Sequence, residues 1–359
     1  MPAPNAGELK DSPQRPPAAL ATPEPSSHKR AMRRAVLAVF AALVAGVVFY
    51  AMRPAATTPL PIVIERLKTP QSGLLLIAEA KGFFAEEGLN ATVRTNLTGY
   101  EGITSVLQGK ADVAVAAETP IARALSEGKQ PRVIATIFSS QWNSGIVARK
   151  DRGVNNPGDL KGKRIGYVPG TATHYMLETF LAFHGIPLDS VTLVKHRPDQ
   201  IVAALTSGDL DAASIWTPYL TRMQEQLGDR GQTFLPRDFY SEMTNLVVGP
   251  DFVKSNRETV DRLLRALIKA ETFATAHREE AINLMASASG MNVNALRGHG
   301  DPMTYELTLK QALLLATENE VRWHFRRGLV TNDHRPDVLR AFETEPLRAL
   351  KTSSVTIAK

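Results

Sequence analysis

Hydrophobic and polar positions divide this chain into three regimes. Residues 1–34 are rich in Pro, Ala and Ser and read as a disordered tail. Residues 35–52, AVLAVFAALVAGVVFYAM, carry no charge. From residue 62 onward, short β-branched runs alternate with segments whose apolar positions recur at helical spacing. Ile62–Glu65, Ala91–Thr95, Asp112–Ala116, Val133–Phe138 and Gly145–Ala148 read as strands. Gly73–Phe84, Glu101–Gln108 and Pro120–Ser126 read as the helices between them. The alternation repeats through strands Arg164–Val168, Val191–Lys195 and Asp211–Ile215 and helices Ala172–Phe183, Asp199–Thr206 and Pro218–Leu227. From Asn256 to Glu343 the pattern is almost entirely helical. Strands separated by helices imply βαβ units and parallel sheet. The pattern therefore predicts a doubly wound α/β core with a helical C-terminal cover.

The uncharged run would span roughly 27 Å as a helix, close to the hydrocarbon core of a membrane. His28-Lys29-Arg30-Ala31-Met32-Arg33-Arg34 precedes it directly. Such a basic cluster belongs on the cytoplasmic side, which sends residue 53 onward across the membrane. A cleavable signal has a shorter apolar core and a small-x-small site, and Arg53-Pro54-Ala55-Ala56-Thr57 offers no convincing one. An uncleaved anchor is the preferred reading over a signal peptide. A buried core helix fits less well, because the run lacks a polar face. The proline-rich residues 53–61 read as a linker.

Composition narrows the chemistry. Apolar residues make up 43% of the 359 and charged residues 22%, which is ordinary for a globular protein. There is no cysteine, so a disulfide scaffold, a thiolate metal site and a cysteine nucleophile are excluded. Net charge is +6, but residues 53–359 hold 36 basic and 33 acidic side chains, too balanced for a nucleic-acid footprint. The eight histidines show no metal spacing, and neither H-E-x-x-H nor G-x-S-x-G occurs. No catalytic residue, metal or cofactor is assigned.

An internal echo divides the body in two. Leu107-Gln108-Gly109-Lys110-Ala111-Asp112 is followed by Glu118-Thr119-Pro120, and Leu205-Thr206-Ser207-Gly208-Asp209-Leu210-Asp211 by Trp216-Thr217-Pro218. Each reads as a helix closed by a left-handed glycine, a strand, and a Thr-Pro opening the next helix. Any βαβ protein repeats such punctuation. The sharper reading is two similar lobes facing each other, with Glu118-Thr119 and Trp216-Thr217 at strand ends where ligands of such sheets bind.

These segments resemble the periplasmic solute-binding proteins of ABC importers for nitrate, sulfonates, taurine and thiamine-pyrimidine precursors. The carriers are Ala78-Glu79-Ala80-Lys81-Gly82-Phe83-Phe84-Ala85-Glu86-Glu87-Gly88-Leu89, the two Gly-x-x-Asp segments, Asp159-Leu160-Lys161-Gly162-Lys163-Arg164-Ile165-Gly166, Gly170-Thr171 and Trp216-Thr217-Pro218-Tyr219. Together they cover about residues 60–330. The resemblance implies a type II periplasmic-binding-protein (Venus flytrap) fold, two doubly wound lobes preceded here by a transmembrane helix. Lobe I would hold 62–148 plus 245–345, lobe II 149–244, with a tail at 346–359. Hinge crossings would fall near Arg149-Lys150 and Asn245–Val248. The implied ligand-binding positions are Gln71, Ser72, Gly73, Gly99, Tyr100, Glu118, Thr119, Gly170, Thr171 and Trp216. The implied partners are a small-molecule ligand, an ABC permease and the inner membrane, and the expected state is a monomer on the periplasmic side.

Alternatives stay open at several of these residues. Thr171 reads as a ligand donor or a plain helix cap. Trp216 and Tyr100 read as ligand walls or packing residues, and Trp142 as a lid or a core rim. Glu118 is either a partner for an amine or ring N–H, or an acid suited to a helix start. His174 reads as a surface residue or as one facing the cleft, the surface reading being preferred. The usual Trp-Asp-Pro-Tyr or Trp-Glu-Pro-Tyr of the family is here Trp216-Thr217-Pro218-Tyr219, so one acidic pocket residue is missing. The expected function is capture and delivery of a small polar organic molecule or oxyanion, without catalysis. A sensory module, or a pyrimidine-synthesis enzyme on the same fold, are the other classes.

Overall fold

Among the described residues, ten strands form two five-stranded sheets with the same internal order. In this computed structural model residue 32 and residues 35–41, 58–297, 303–331, 333 and 335–358 are described. In chain order the strands are β1 (Leu60–Leu67), β2 (Leu89–Asn96), β3 (Val113–Ala117), β4 (Arg132–Ser140), β5 (Ser144–Arg149), β6 (Arg164–Tyr167), β7 (Thr192–Lys195), β8 (Ala212–Trp216), β9 (Gly231–Phe234) and β10 (Glu242–Val248). The first sheet runs β2-β1-β3-β10-β4 and the second β7-β6-β8-β5-β9. The echo noted in the sequence is thus a repeat of topology.

The parallel arrangement holds only for β2-β1-β3 and β7-β6-β8. β10 and β5 are antiparallel to both of their neighbours. Each is the strand that arrives from the other sheet, so it enters its layer from the opposite end. The chain crosses through residues 141–143 and 235–241, between these sheets. The crossing expected near Arg149-Lys150 therefore falls one strand earlier, because β5 belongs wholly to the second sheet. The second falls before residue 242 rather than at Asn245–Val248. Buried runs such as Ser144–Arg149 do not reveal which sheet will take them; pairing decides.

The first sheet packs Ile62, Ile64, Ile134, Phe138 and Leu246 into one core with the helices Gly73–Ala80 and Arg257–Ala276. The second is covered on two faces, by Met176, Leu177 and Phe180 on one and Ile201, Leu205 and Met223 on the other. Gly82, at φ 75°, splits the expected helix Gly73–Phe84 into Gly73–Ala80 and Phe83–Glu86. Gly109 and Gly208 take left-handed conformations, as expected of helix ends. The Thr-Pro pairs do not cap. One helix already begins at Glu118, and the other at Tyr219 beyond a cis Thr217-Pro218 bond.

Of the expected transmembrane run 35–52, residues 35–41 are helical and exposed, and 42–52 lie outside the described residues. No helix among the described residues is long and apolar enough to cross a membrane. Apart from residue 32, the N-terminal tail also lies outside them.

The expected tail at 346–359 is instead docked. Thr344–Leu350 is a helix, Val355 bridges to Leu309, and Ile357 is 1% exposed within the first core. Ile357→Ala should lower the unfolding free energy by about 2–5 kcal/mol, read by urea denaturation. An unchanged midpoint would mean that this segment contributes nothing to the core.

Candidate functional site

Between the two sheets lies a narrow cavity of about 30 Å³. Its walls come from Leu67 at the end of β1, Gln71 just beyond, Thr98 and Gly99 after β2, Ala117 and Pro120 after β3, and Glu242 at the start of β10. The second sheet contributes Thr171 and Ala172 after β6 and Trp216 at the end of β8. Open α/β sheets bind ligands at this place, beyond the carboxyl ends of their strands.

Glu242 organises the wall. It is 2% exposed and accepts from three side chains. Gln71 Nε2 donates to its Oε1 at 2.9 Å, and Asn143 Nδ2 lies 3.2 Å from both oxygens. The Ser144 hydroxyl donates to Oε2. Gln71 Oε1, Asn143 Oδ1, the Ser72 hydroxyl and the Trp216 indole N–H are buried without a partner.

Behind the wall stand two more buried acids. Glu118 accepts from the Tyr240 hydroxyl at 2.6 Å and from the Met243 amide at 2.9 Å. Burial, and then the negative charge of Glu242, push its pKa up to about 8, against the pull of the Tyr240 bond. Glu320 is fully buried, with the Thr119 hydroxyl as its nearby donor. Burial, followed by the charge of Glu118, holds this group well above the carboxylate range. One turn on, His324 Nδ1 donates to the Glu320 carbonyl at 2.8 Å, and burial lowers the ring to about 4.

A polar latch joins the lobes beside this cluster. Trp323, on the helix Gln311–Arg326, donates its indole N–H to Glu178 Oε2 at 2.7 Å, and Arg327 Nε lies 3.0 Å from the same oxygen. Glu178 is carried by the helix Ala172–Phe183 of the second lobe, where His174 Nε2 is 3.2 Å from its other oxygen. Burial alone would raise the pKa of Glu178, but the His174 and Trp323 bonds win and hold it low. His174 is 4% exposed, not a surface residue, and its ring lies between Tyr167 and Trp323, with centroids 4.4 and 4.9 Å away.

The structure sorts the positions expected from the sequence. Gln71, Gly99, Thr171 and Trp216 line the cavity. Ser72 is fully buried beside Gln71. Gly73 serves packing, since a Cβ there would come within 2.3 Å of the Tyr305 ring. Tyr100 turns away to stack under Arg123, whose guanidinium carbon is 3.9 Å from the ring centroid, and its hydroxyl meets Glu127. Glu118 and Thr119 lie behind the wall, and Gly170 sits beneath Arg123. Thr171 directs its hydroxyl to the Val168 carbonyl at 2.7 Å rather than capping its helix. Trp142 is buried with its first-lobe neighbours. Sequence reasoning missed Glu242 and the Glu320–His324 turn. Glu242 opens a strand in no recognisable motif, and only tertiary pairing brings it to Gln71, 171 residues away.

Two α/β lobes of repeated topology, crossed twice by the chain and closing on a cavity at their strand ends, define the periplasmic-binding-protein fold. The NMT1/THI5 like family model matches residues 69–281, more than half of the chain, and the protein belongs to that family. The taurine-binding periplasmic protein of Escherichia coli (strain K12) is 28% identical over 232 residues, covering 60% of this chain and 69% of that one. The 4-amino-5-hydroxymethyl-2-methylpyrimidine phosphate synthase of Aspergillus parasiticus is 24% identical over 225 residues, 58% and 64% of the two chains. The alkanesulfonate-binding protein SsuA from Xanthomonas axonopodis pv. citri, solved bound to MOPS, shares the fold with a TM-score of 0.68 at 17% identity, covering 80% of this chain and 99% of its own.

The raised pKa of Glu118 has a definite consequence for stability. The folded protein keeps this proton up to about pH 8, whereas an unperturbed glutamate releases it near 4.5. The favourable contribution is therefore complete below pH 4.5 and is lost as pH rises through 8. Glu118→Gln, an isosteric stand-in for the neutral acid, should show a smaller loss of unfolding free energy between pH 5 and 8.5 than the wild type. Equal losses would mean that Glu118 is ionised in the folded protein.

Proposed function

We propose that this protein is the solute-binding component of an ABC importer, working on the periplasmic side of the bacterial inner membrane. It holds a small polar organic molecule or oxyanion between its lobes and delivers it to a permease. The observation that carries the reading is the cavity itself, whose walls come from both sheets. At about 30 Å³ the space is too small to hold such a solute as it stands, so the lobes must part to admit one, and the crossings at 141–143 and 235–241 are the natural hinge. The solute acts by favouring the closed arrangement, which the Trp323–Glu178 bond supports.

Binding without turnover is the reading that the acids favour. Both oxygens of Glu118 and both of Glu242 are engaged by donors from the protein, and the acids with raised pKa, Glu118 and Glu320, are not among the residues that line the cavity. The likeness to a taurine-binding periplasmic protein supports the location. Residues 35–52, read as an uncleaved helix, would tether a monomer to the membrane.

The test is the melting temperature of the full-length protein against nitrate, bicarbonate, alkyl sulfonates, taurine and pyrimidine precursors. A solute at 100 times its dissociation constant adds about 2.7 kcal/mol, a shift of several degrees. At least one member should produce it. No shift with any of them would count against this reading.

A further inference from the structure

We propose that the cavity selects its solute by a hydrogen-bond donor, a protonated amine, exocyclic amino group or ring N–H set against the Gln71 carbonyl oxygen, and not by an oxyanion head. This deepens the solute-binding reading and rests on it.

The orientation of Gln71 carries the argument. A carboxamide has one donor end and one acceptor end. Glu242 Oε1 accepts from the amide nitrogen of Gln71 at 2.9 Å, which turns the donor end of the carboxamide toward the acid. The carbonyl end is then fixed as the free end. It is buried and unpartnered, on a residue that lines the cavity and is 3% exposed. Asn143 repeats the arrangement: its amide nitrogen faces Glu242 and its carbonyl oxygen lacks a partner. One buried acid thus turns two neighbouring amides so that they offer acceptors. A buried carbonyl without a partner is costly, and a solute N–H relieves that cost while an anionic oxygen adds to it.

The charge distribution agrees. Glu242 is the one charged residue among those that line the cavity, and no lysine or arginine does so. Arg123, beside Gly170, pairs with Glu127 at 2.8 Å and stacks on Tyr100. Its charge is largely met there, and the Glu127 pKa falls to about 2 through its bonds to Lys129, Tyr100 and Arg123, against the effect of burial. Of the side-chain donors on the wall, the Thr171 hydroxyl is committed to Val168, leaving Thr98 and the Trp216 indole. An anionic group elsewhere on the same solute could still face the start of the helix Ala172–Phe183.

Calorimetric titration of the full-length protein at pH 7 tests this with matched pairs: taurine against ethanesulfonate, and 4-aminopyrimidine against pyrimidine, with nitrate as a fifth probe. In at least one pair the amino member should bind ten- to a hundredfold tighter than its partner, the range expected for one buried hydrogen bond. Gln71→Met should remove at least tenfold of that affinity, and Trp216→Phe less than about threefold, since the ring is kept and only its N–H is lost. Ethanesulfonate, pyrimidine or nitrate binding as tightly as the amino compounds would overturn donor selection and leave the solute-binding reading standing. So would a Trp216→Phe loss exceeding that of Gln71→Met; where Gln71→Met folds poorly, the matched pairs on the unaltered protein decide alone. Silence across all five probes would overturn the proposal, and silence across the wider set above would take the solute-binding reading with it.

Discussion

A single buried carboxylate sets the terms for this molecule. Glu242 stands at the first position of β10, nearly inaccessible to water. Burying a charge is tolerable only when donors converge on it. The donors come from three places: Gln71 beyond β1, Asn143 in the first crossing, and Ser144 at the entry to β5. Two of them lie where the chain passes from one lobe to the other. The same anion therefore fixes the hinge and orients the amides beside the cavity. Removing it would leave three inward-facing donors without an acceptor, at the point where the lobes join.

Around this charge the structure holds other carboxyl groups in opposite states by environment alone. Glu178 lies between lobes and receives His174, Trp323 and Arg327, which keep it ionised despite its burial. Glu118 has a hydroxyl and an amide but no cation, and the repulsion of Glu242 adds to burial. Glu320 is raised as well, by burial and by Glu118, against the pull of the Thr119 hydroxyl. The result is a graded arrangement: an ionised latch between the lobes, and acids that favour the neutral form behind the wall that Glu242 organises. A second full charge behind the wall would strain the first, so neutrality there follows from the presence of Glu242.

Much of the architecture was legible because it depends on local periodicity. The β-branched runs and amphipathic segments located eight of the ten strands among the described residues, missing β9 and β10, and the repeated Gly-x-x-Asp punctuation marked two lobes that share one strand order. Gln71, Gly99, Thr171 and Trp216 could be placed at the cavity because they follow strand ends. Pairing across long separations was not legible. Nothing local to Ser144–Arg149 says that it joins the second sheet, so the hinge was expected too late in the chain. Tyr100 and Glu118 occupy strand-end positions as expected, yet Arg123 draws one outward and Tyr240 holds the other behind the wall. Glu242 escaped notice because an acid opening a strand usually faces solvent, and its donors are far away in sequence.

The most direct measurement is a crystal structure of the protein saturated with the solute that raises its melting temperature most. A nitrogen donor of that solute about 3 Å from Gln71 Oε1, with the Gln71 and Asn143 amides still turned toward Glu242, is the result expected. An oxyanion seated at Gln71, with the amide reversed to present its nitrogen to the solute, would contradict the account.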